Sequence, residues 1–231
     1  MLTPPLFARF ERCRPMSDLT LVMGNKTYSS WSLRPWLALK HTGLAFTETV
    51  IPLRQPDTAT RIAEHSPSGR VPTLIHDGLT VWDSLAICEY VAELAPEVRL
   101  WPADRAARAV ARAVAAEMHS GFVSLRTTMS MDLKRDRKGQ GMTEATAADI
   151  ARIEALWADA RTRFGKPAGG PFLFGAFTIA DAMFAPVVTR LETYGVAVSP
   201  ESHTYMDAVL ALPAMREWIA AAKAEPWEFE P

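Results

Sequence analysis

The chain has 231 residues, of which 48% are hydrophobic and 22% charged, so it can bury a substantial core as one large domain or two small ones. The formal net charge at pH 7 is −1, with no long run of either sign, which argues against general nucleic-acid binding and against a role on an anionic membrane surface. No uninterrupted apolar segment approaches the ~20 residues that cross a bilayer. Only Cys13 and Cys88 are present, far apart, so a disulfide framework is not expected and the reducing cytoplasm is the predicted location.

The first part of the chain alternates between strand-like and helical patterns, after an extension at residues 1–17 that is expected to be disordered. The predicted elements are a strand at 19–23, a helix at 32–41, a strand at 45–53, a weak helix at 56–64, two strands within 71–82, and a helix at 84–94. Asp77-Gly78 is a strong hairpin signal between the last two strands. A βαβ unit followed by a ββα unit predicts a thioredoxin-like α/β domain over residues 18–97.

Residues 98–103 are a predicted linker, and residues 104–231 a predicted all-helical domain. Its helices are expected from 104 toward 134, at 143–165, at 178–194, around 205–210 and at 214–224. Thr178 and Asp181 have the spacing of a capping box, in which two side chains satisfy backbone N–H groups at the start of a helix. We interpret this pair as structural rather than catalytic.

Three serines, Ser29, Ser30 and Ser32, crowd the turn between the first strand and the first helix. A hydroxyl there can cap the helix, and it can also donate a hydrogen bond to an anion at the helix N-terminus. Taken alone, the turn favours the capping interpretation. The pattern Ser-x-x-Ser also stands where a thioredoxin-like domain would carry two redox cysteines, so a dithiol oxidoreductase is disfavoured.

Other catalytic motifs are missing from the sequence. The five histidines show no ligand spacing for zinc, and no metal site is predicted. The sequence contains no nucleophile elbow, Walker A loop or dinucleotide-binding fingerprint. Cys88 lies in an apolar helical pattern and is interpreted as a buried packing residue.

Three motifs in order resemble the cytosolic glutathione transferase family, over residues 19 to about 225. They are the sequence YSSWSLR at 28–34, Val71-Pro72 followed by Asp83-Ser84, and the capping box at 178–181. The resemblance implies a thioredoxin-like domain followed by an all-helical domain.

Within that family, the Ser-Ser-x-Ser-x-Arg pattern is most similar to the zeta class, with some similarity to theta. The zeta pattern has cysteine in place of Trp31 and tryptophan in place of Leu33. This departure argues against zeta-type isomerase chemistry.

The resemblance implies that the chain binds glutathione as a co-substrate and stabilises its thiolate with a serine hydroxyl. Family spacing favours Ser29 as the partner of the sulfur, with Ser30 as the close alternative and Tyr28 as a minor one. The resemblance also implies a cis peptide at Val71-Pro72, next to which the backbone of Val71 would pair with the cysteinyl part of the tripeptide.

Asp83-Ser84 lies at a predicted helix N-terminus, where exposed N–H groups favour an anion. The resemblance implies that Ser84 holds the γ-glutamyl carboxylate and that Asp83 pairs with the ammonium; the alternative is a plain helix cap. Arg70 would reach the glycyl carboxylate, and a solvated arginine is the alternative.

The pocket for a second substrate is expected between the two domains. Trp31, Phe122 and Arg126 are its candidate residues, although Trp31 is equally well explained by packing. Arg34 is expected to pair with an acid inside the fold. A homodimer is implied by the resemblance alone.

The leading hypothesis is a glutathione transferase that acts on a small hydrophobic electrophile. The first alternative is a glutathione-dependent isomerase, similar to maleylacetoacetate isomerase, or a dehalogenase, because the same thiolate serves these reactions. The second alternative is a non-enzymatic binding protein, which the fold also supports. The three serines favour chemistry, since a binding scaffold has no need to stabilise a thiolate.

Overall fold

The computed structural model describes residues 18–228, so the extension predicted at 1–17 lies outside the described residues. Four strands form one sheet: β1 Leu19–Gly24, β2 Thr47–Ile51, β3 Thr73–His76 and β4 Leu79–Val81. Their order is β2-β1-β3-β4, with β1 parallel to β2 and antiparallel to β3, and β4 antiparallel to β3. Helices α1 Ser30–Thr42, α2 Thr58–Ala63 and α3 Ser84–Leu94 complete this domain and confirm the predicted thioredoxin-like order.

The rest of the described chain is helical, as predicted. After a short 3₁₀ turn at Pro96–Val98 come α4 Arg105–Ser120, α5 Val123–Thr128, α6 Glu144–Ala160, α7 Ile179–Thr193, α8 Pro200–Ala211 and α9 Pro213–Ala224. Helix α7 is buried along almost its whole length, because its sequence is apolar on every face. Within residues 18–228, no helix is long and apolar enough to cross a membrane.

The single long helix predicted from residue 104 toward 134 is wrong. Helix α4 ends at Ser120, and Gly121 follows with an extended backbone. Phe122 then adopts a left-handed conformation with φ 56°, which an α-helix cannot contain. Its apolar side chain is buried, so it fits the hydrophobic periodicity of the sequence although the backbone breaks there.

Helix α1 connects the two parts of the molecule. It packs against α3 on one side and against α7 and α9 of the helical part on the other. The indole rings of Trp36 in α1 and Trp218 in α9 meet edge to face, with centroids 5.0 Å apart. One continuous hydrophobic core therefore runs from the sheet into the helices.

The predicted capping box begins α7. The Asp181 carboxylate accepts from the Thr178 backbone N–H at 2.8 Å and from the Thr178 hydroxyl at 2.9 Å, and it also accepts from the Leu173 N–H at 3.1 Å. Both residues of the box are buried. A substitution that removed one of them would therefore leave the hydrogen-bonding groups of the other without a partner and without access to water.

Replacing Thr178 with alanine is expected to lower the free energy of unfolding by ~1 kcal/mol or more, because a buried carboxylate loses a donor at the helix start. Urea unfolding followed by circular dichroism measures this change. Thr204→Ala is the matched control: Thr204 is exposed on α8 and donates only to the Pro200 carbonyl, so a change within about 0.5 kcal/mol is expected. Equal effects of the two substitutions would contradict the structural role of the box.

Candidate active site

A cavity of about 490 Å³ lies between the sheet domain and the end of α4. Six of the residues singled out in the sequence line it: Trp31, Arg70, Val71, Pro72, Asp83 and Ser84. Three further residues complete its wall: Ser68, Trp82 and His119. Four candidates are not among the lining residues, namely Ser29, Ser30, Phe122 and Arg126.

The segment from Asn25 to Ser30, here called the serine turn, connects β1 to α1. Ser29 occupies the N-cap position of α1, but its side chain accepts no capping hydrogen bond. Its hydroxyl lies instead 2.7 Å from the hydroxyl of Ser32, which also accepts from the Gly24 N–H at 3.1 Å. The expected side-chain cap by one of the serines is therefore not made by Ser29, the residue at the N-cap position.

Gly24 allows the serine turn to approach the end of β1 closely. A Cβ atom at this position would lie 2.9 Å from the Ser29 hydroxyl oxygen and 2.8 Å from the Leu53 side chain. Ser30, the first residue of α1, is also buried, yet its hydroxyl has no hydrogen-bond partner within residues 18–228. The N-terminus of α1 thus presents two hydroxyls that are not used for capping.

The loop before β3 supplies one wall of the cavity. The Val71–Pro72 peptide is cis, as the family resemblance implied. The backbone N–H and C=O of Val71 have no hydrogen-bond partner elsewhere in residues 18–228, so they can accept an extended peptide as a strand edge does. Arg70 is exposed beside them and lines the same cavity.

Asp83 and Ser84 stand at the start of α3. One carboxylate oxygen of Asp83 caps the helix by accepting from the N–H groups of Leu85 and Ala86, at 3.0 and 3.3 Å. The other oxygen lies 2.9 Å from Nε2 of His119, at the end of α4. The Ser84 hydroxyl is buried and has no partner within the described residues. Helix α3 therefore offers the cavity the Ser84 hydroxyl and the positive end of its dipole, while Asp83 occupies the N–H groups of Leu85 and Ala86.

Trp31 lies between two cations. The guanidinium of Arg34 stacks over its ring at 4.2 Å and that of Arg126 lies at 5.3 Å, while His119 contacts it edge to face at 5.3 Å. Arg126 also donates to the His119 carbonyl at 3.2 Å. Trp31 therefore lines the cavity in contact with Arg34, Arg126 and His119, and Arg126 itself is not a lining residue. Phe122 is buried ahead of α5.

Arg34 is fully buried, and the acid partner predicted for it is wrong. Its three guanidinium nitrogens have no hydrogen-bond partner among residues 18–228. Burial, followed by repulsion from Arg190 and Arg126, lowers the pKa of Arg34 to about 9. The Arg34 guanidinium stacks on Trp31 instead of forming the expected ion pair. Its charge is buried in the first turns of α1, which begins at the end of the serine turn.

The sequence did not reveal three residues of this site. His119 follows a regular helical pattern, and nothing near it in sequence indicates Asp83. Trp82 directly precedes Asp83, and Ser68 lies two residues before Arg70, so both residues could have been found by their proximity to the motifs. Cys88 is buried, as predicted, and burial raises the pKa of its thiol. Within the described part of the chain, no group of three metal-binding side chains occurs.

Replacing Arg34 with methionine is expected to raise the free energy of unfolding at pH 7 by about 1 kcal/mol or more, because an unpaired buried cation is replaced by an apolar chain of similar length. The gain should shrink above pH 9: the folded-state pKa is depressed, so the unfolded chain binds more protons there and wild-type stability rises with pH. Urea unfolding at pH 7 and 10 tests both points. Arg105→Met, at an exposed position of α4, should change stability by less than about 0.5 kcal/mol. A large loss in Arg34→Met alone would show that the guanidinium has a partner in solution.

Comparison with known proteins identifies the family. The N-terminal domain of glutathione S-transferase matches residues 28–94, and its C-terminal domain matches residues 138–221. A probable maleylacetoacetate isomerase of Caenorhabditis elegans is 30% identical over 172 residues, which are 74% of this chain and 78% of that protein. Maleylacetoacetate isomerase of Rattus norvegicus is 33% identical over 175 residues, 74% of this chain and 77% of the relative.

Among solved structures, a glutathione transferase homolog from Burkholderia GL BGR1 with bound glutathione superposes with a TM-score of 0.69. It is 27% identical, and the match covers 90% of this chain and 100% of that one. The fold, the two matched domains and the relatives agree: the chain belongs to the glutathione S-transferase family.

Proposed function

We propose that this chain is a serine-type glutathione transferase that binds glutathione in the cavity described above and directs its thiolate at a small electrophile. One observation carries the proposal: the residues that the family resemblance assigned to the tripeptide, Arg70 to Pro72 and Asp83-Ser84, lie on the wall of a single cavity. Membership of the family supports a glutathione-dependent, transferase-like activity.

Each polar group of glutathione can be assigned a hydrogen-bonding or charged group on the wall of the cavity. The γ-glutamyl carboxylate would accept from the Ser84 hydroxyl, which has no partner within residues 18–228, and from the Ser84 N–H at the start of α3. The cysteinyl backbone would pair with the free N–H and C=O of Val71. The exposed guanidinium of Arg70 would reach the glycyl carboxylate, and Asp83 would receive the ammonium.

The thiolate is the costly species. A free thiol has a pKa near ~8.5, so lowering it by about two units means favouring the thiolate by ~2.7 kcal/mol. The positive end of α1 contributes part of this, and the buried charge of Arg34, one turn after Ser30, acts in the same direction.

Ser29 is the proposed hydrogen-bond donor to the sulfur. The Ser32 hydroxyl accepts from the Gly24 N–H and lies 2.7 Å from the Ser29 hydroxyl. In the proposed arrangement Ser32 donates to Ser29, and the Ser29 proton is then free for the sulfur. Such a chain of hydroxyls strengthens the last donor. Ser30 is the alternative, because its hydroxyl has no partner.

In the transfer step, the sulfur uses a lone pair to form a C–S bond to the electrophilic carbon. The bond from that carbon to its leaving group breaks, and the leaving group departs with the electron pair. The thiol proton has already passed to solvent. Trp31 lines the cavity and is the proposed wall for the electrophile, and Arg126 lies 5.3 Å from the centroid of its ring. Phe122, buried just before α5, is proposed to support this part of the pocket from outside the lining.

A glutathione-dependent isomerase is the second candidate, because the relatives from Caenorhabditis elegans and Rattus norvegicus are a probable maleylacetoacetate isomerase and a maleylacetoacetate isomerase. In that reaction the thiolate adds to an unsaturated carbon, the adjoining bond rotates, and the C–S bond breaks again, so glutathione is not consumed. Stoichiometric loss of the free thiol distinguishes conjugation from isomerisation.

The predicted homodimer and cytoplasmic location remain predictions. Leu79 and Trp82, at and beside the edge strand β4, are about half exposed and would supply an apolar surface for a second copy.

Replacing Ser29 with alanine is expected to lower kcat/KM for a chlorodinitrobenzene-type electrophile by about 10- to 100-fold, since a hydrogen bond to a charged group contributes about 1.5–3 kcal/mol. The apparent pKa in the pH–rate profile should rise toward ~8.5. Ser32→Ala should lower kcat/KM by a smaller factor, because the Ser32 hydroxyl orients the hydroxyl of Ser29. If Ser30→Ala has the large effect while Ser29→Ala and Ser32→Ala do not, the donor is Ser30.

Replacing Ser84 with alanine is expected to weaken glutathione binding about tenfold or more. The γ-glutamyl carboxylate would lose the Ser84 hydroxyl as a donor, and this hydroxyl has no partner among the described residues. Isothermal titration calorimetry measures the affinity. Ser120→Ala removes an exposed hydroxyl that donates to the Ala116 carbonyl, and it should leave the affinity unchanged. An unchanged affinity in Ser84→Ala would refute this placement of the γ-glutamyl group.

A further inference from the structure

The serine turn is hydrogen-bonded to Glu225, the residue that directly follows α9 and lies 199 positions after Lys26 in the sequence. The Glu225 carboxylate accepts from the Lys26 N–H at 2.6 Å with one oxygen and from the Thr27 N–H at 3.0 Å with the other. The Thr27 hydroxyl lies 2.9 Å from the same carboxylate and 2.9 Å from the Ala222 carbonyl. Two backbone donors and one hydroxyl of the turn thus share a single acidic side chain.

These donors need an acceptor because water cannot reach them freely. Thr27 is fully buried and Lys26 is 9% exposed. A buried N–H without a partner is costly, so most such groups in folded proteins are paired. The Trp218 indole N–H completes the contact by donating to the Lys26 carbonyl at 3.0 Å. Both peptide groups around Lys26 are therefore held by the end of α9.

The rest of the turn transmits this position to the proposed donor. The N–H of Ser29 donates to the Asn25 carbonyl at 3.0 Å, so the turn is one hydrogen-bonded unit from Asn25 to Ser29. Thr27 and Ser29 are separated by one residue. Misplacing a catalytic group by about 1 Å can cost about 100-fold in rate, so a shift of Thr27 would matter at the sulfur.

Two lysines lie near the contact between Glu225 and the serine turn. The Lys134 ammonium, after α5, donates to the Glu225 carbonyl, and the Lys26 ammonium pairs with Glu48 of β2 at 2.6 Å. Lys26 also lies over the Trp36 and Trp218 rings, 5.2 and 5.5 Å from their centroids. Glu225 therefore contacts Lys26 and Thr27 with its side chain and Lys134 with its backbone carbonyl, and it belongs to the contact between the two domains.

We infer that Glu225 is a positioning residue for the thiolate: its carboxylate holds the Lys26 and Thr27 amides so that the serine turn presents its hydroxyl to the sulfur. The inference rests on the proposed function and assigns to the end of α9 a part in the chemistry of the other domain. Glu225 itself does not touch glutathione in this scheme.

A field effect and a positioning effect of Glu225 predict opposite changes in the apparent pKa of the glutathione thiol when the carboxylate is replaced by a neutral amide. If Glu225 acts only through its negative field, Glu225→Gln lowers the apparent pKa of bound glutathione, because a nearby anion disfavours the thiolate. If Glu225 acts by positioning, Glu225→Gln raises that pKa, because the amide can accept only one of the two N–H bonds and the serine donor is displaced. The sign of the change therefore separates the two roles.

The test compares Glu225→Gln with Glu217→Gln in the full chain. Glu217 is on the same helix α9 and pairs with Lys40 of α1 at 2.8 Å, so it contacts the other domain without touching the serine turn. We expect Glu225→Gln to show about tenfold less thiolate at pH 7, read from the pH–rate profile, with KM for glutathione changed less than twofold. Glu217→Gln should keep the wild-type profile, and Glu225→Asp should recover part of the loss.

Amide hydrogen exchange provides an arm that does not depend on glutathione. In Glu225→Gln, the peptide covering residues 25–29 should exchange at least tenfold faster, whereas in Glu217→Gln it should not. Unchanged exchange, an unchanged pH profile or a profile shifted to lower pH would each overturn the inference. If the wild type forms no conjugate at all, the proposed function fails, while the exchange arm still decides whether Glu225 holds the turn.

Discussion

The burial of α1 between two sets of helices is the constraint on which the site depends. The helix packs against α3 of its own domain and against α7 and α9 of the other, so its axis cannot turn independently of either. A helix N-terminus and a hydroxyl stabilise an anion well only when they are fixed in advance, because reorganisation would consume the gain. The packing therefore fixes the start of α1, and with it the serine turn, relative to both domains.

Much of this architecture could be predicted because its signals are local. The helix start at Thr178 depends on residues three apart, and the hairpin at Asp77-Gly78 on two neighbours that adopt positive φ. The order of strands and helices followed from periodicity in the same way. Asp83 also belongs to this group, because it caps α3 through N–H groups two and three residues ahead.

The remaining features depend on side chains that meet only after the chain has folded. Arg34 was expected to find an acid, but the face of Trp31 and two other arginines surround it. Glu225 meets Lys26 across 199 residues, and no periodicity reports such a contact. The break after Ser120 was missed because the buried side chain of Phe122 preserves the hydrophobic pattern while its backbone leaves the helix.

The shared carboxylate of Asp83 has a consequence for ligand discrimination. One of its oxygens is already engaged by His119 from the other domain. An incoming ammonium would displace His119 from this oxygen of Asp83 and would not meet an unoccupied carboxylate. The net gain in binding free energy is therefore the difference between two similar contacts. A thiol compound without the amino group would leave the Asp83–His119 contact intact and forgo the exchange. If glutathione binds as proposed, its amino group would be recognised through this exchange of partners at Asp83 and would add little to the affinity of the complex.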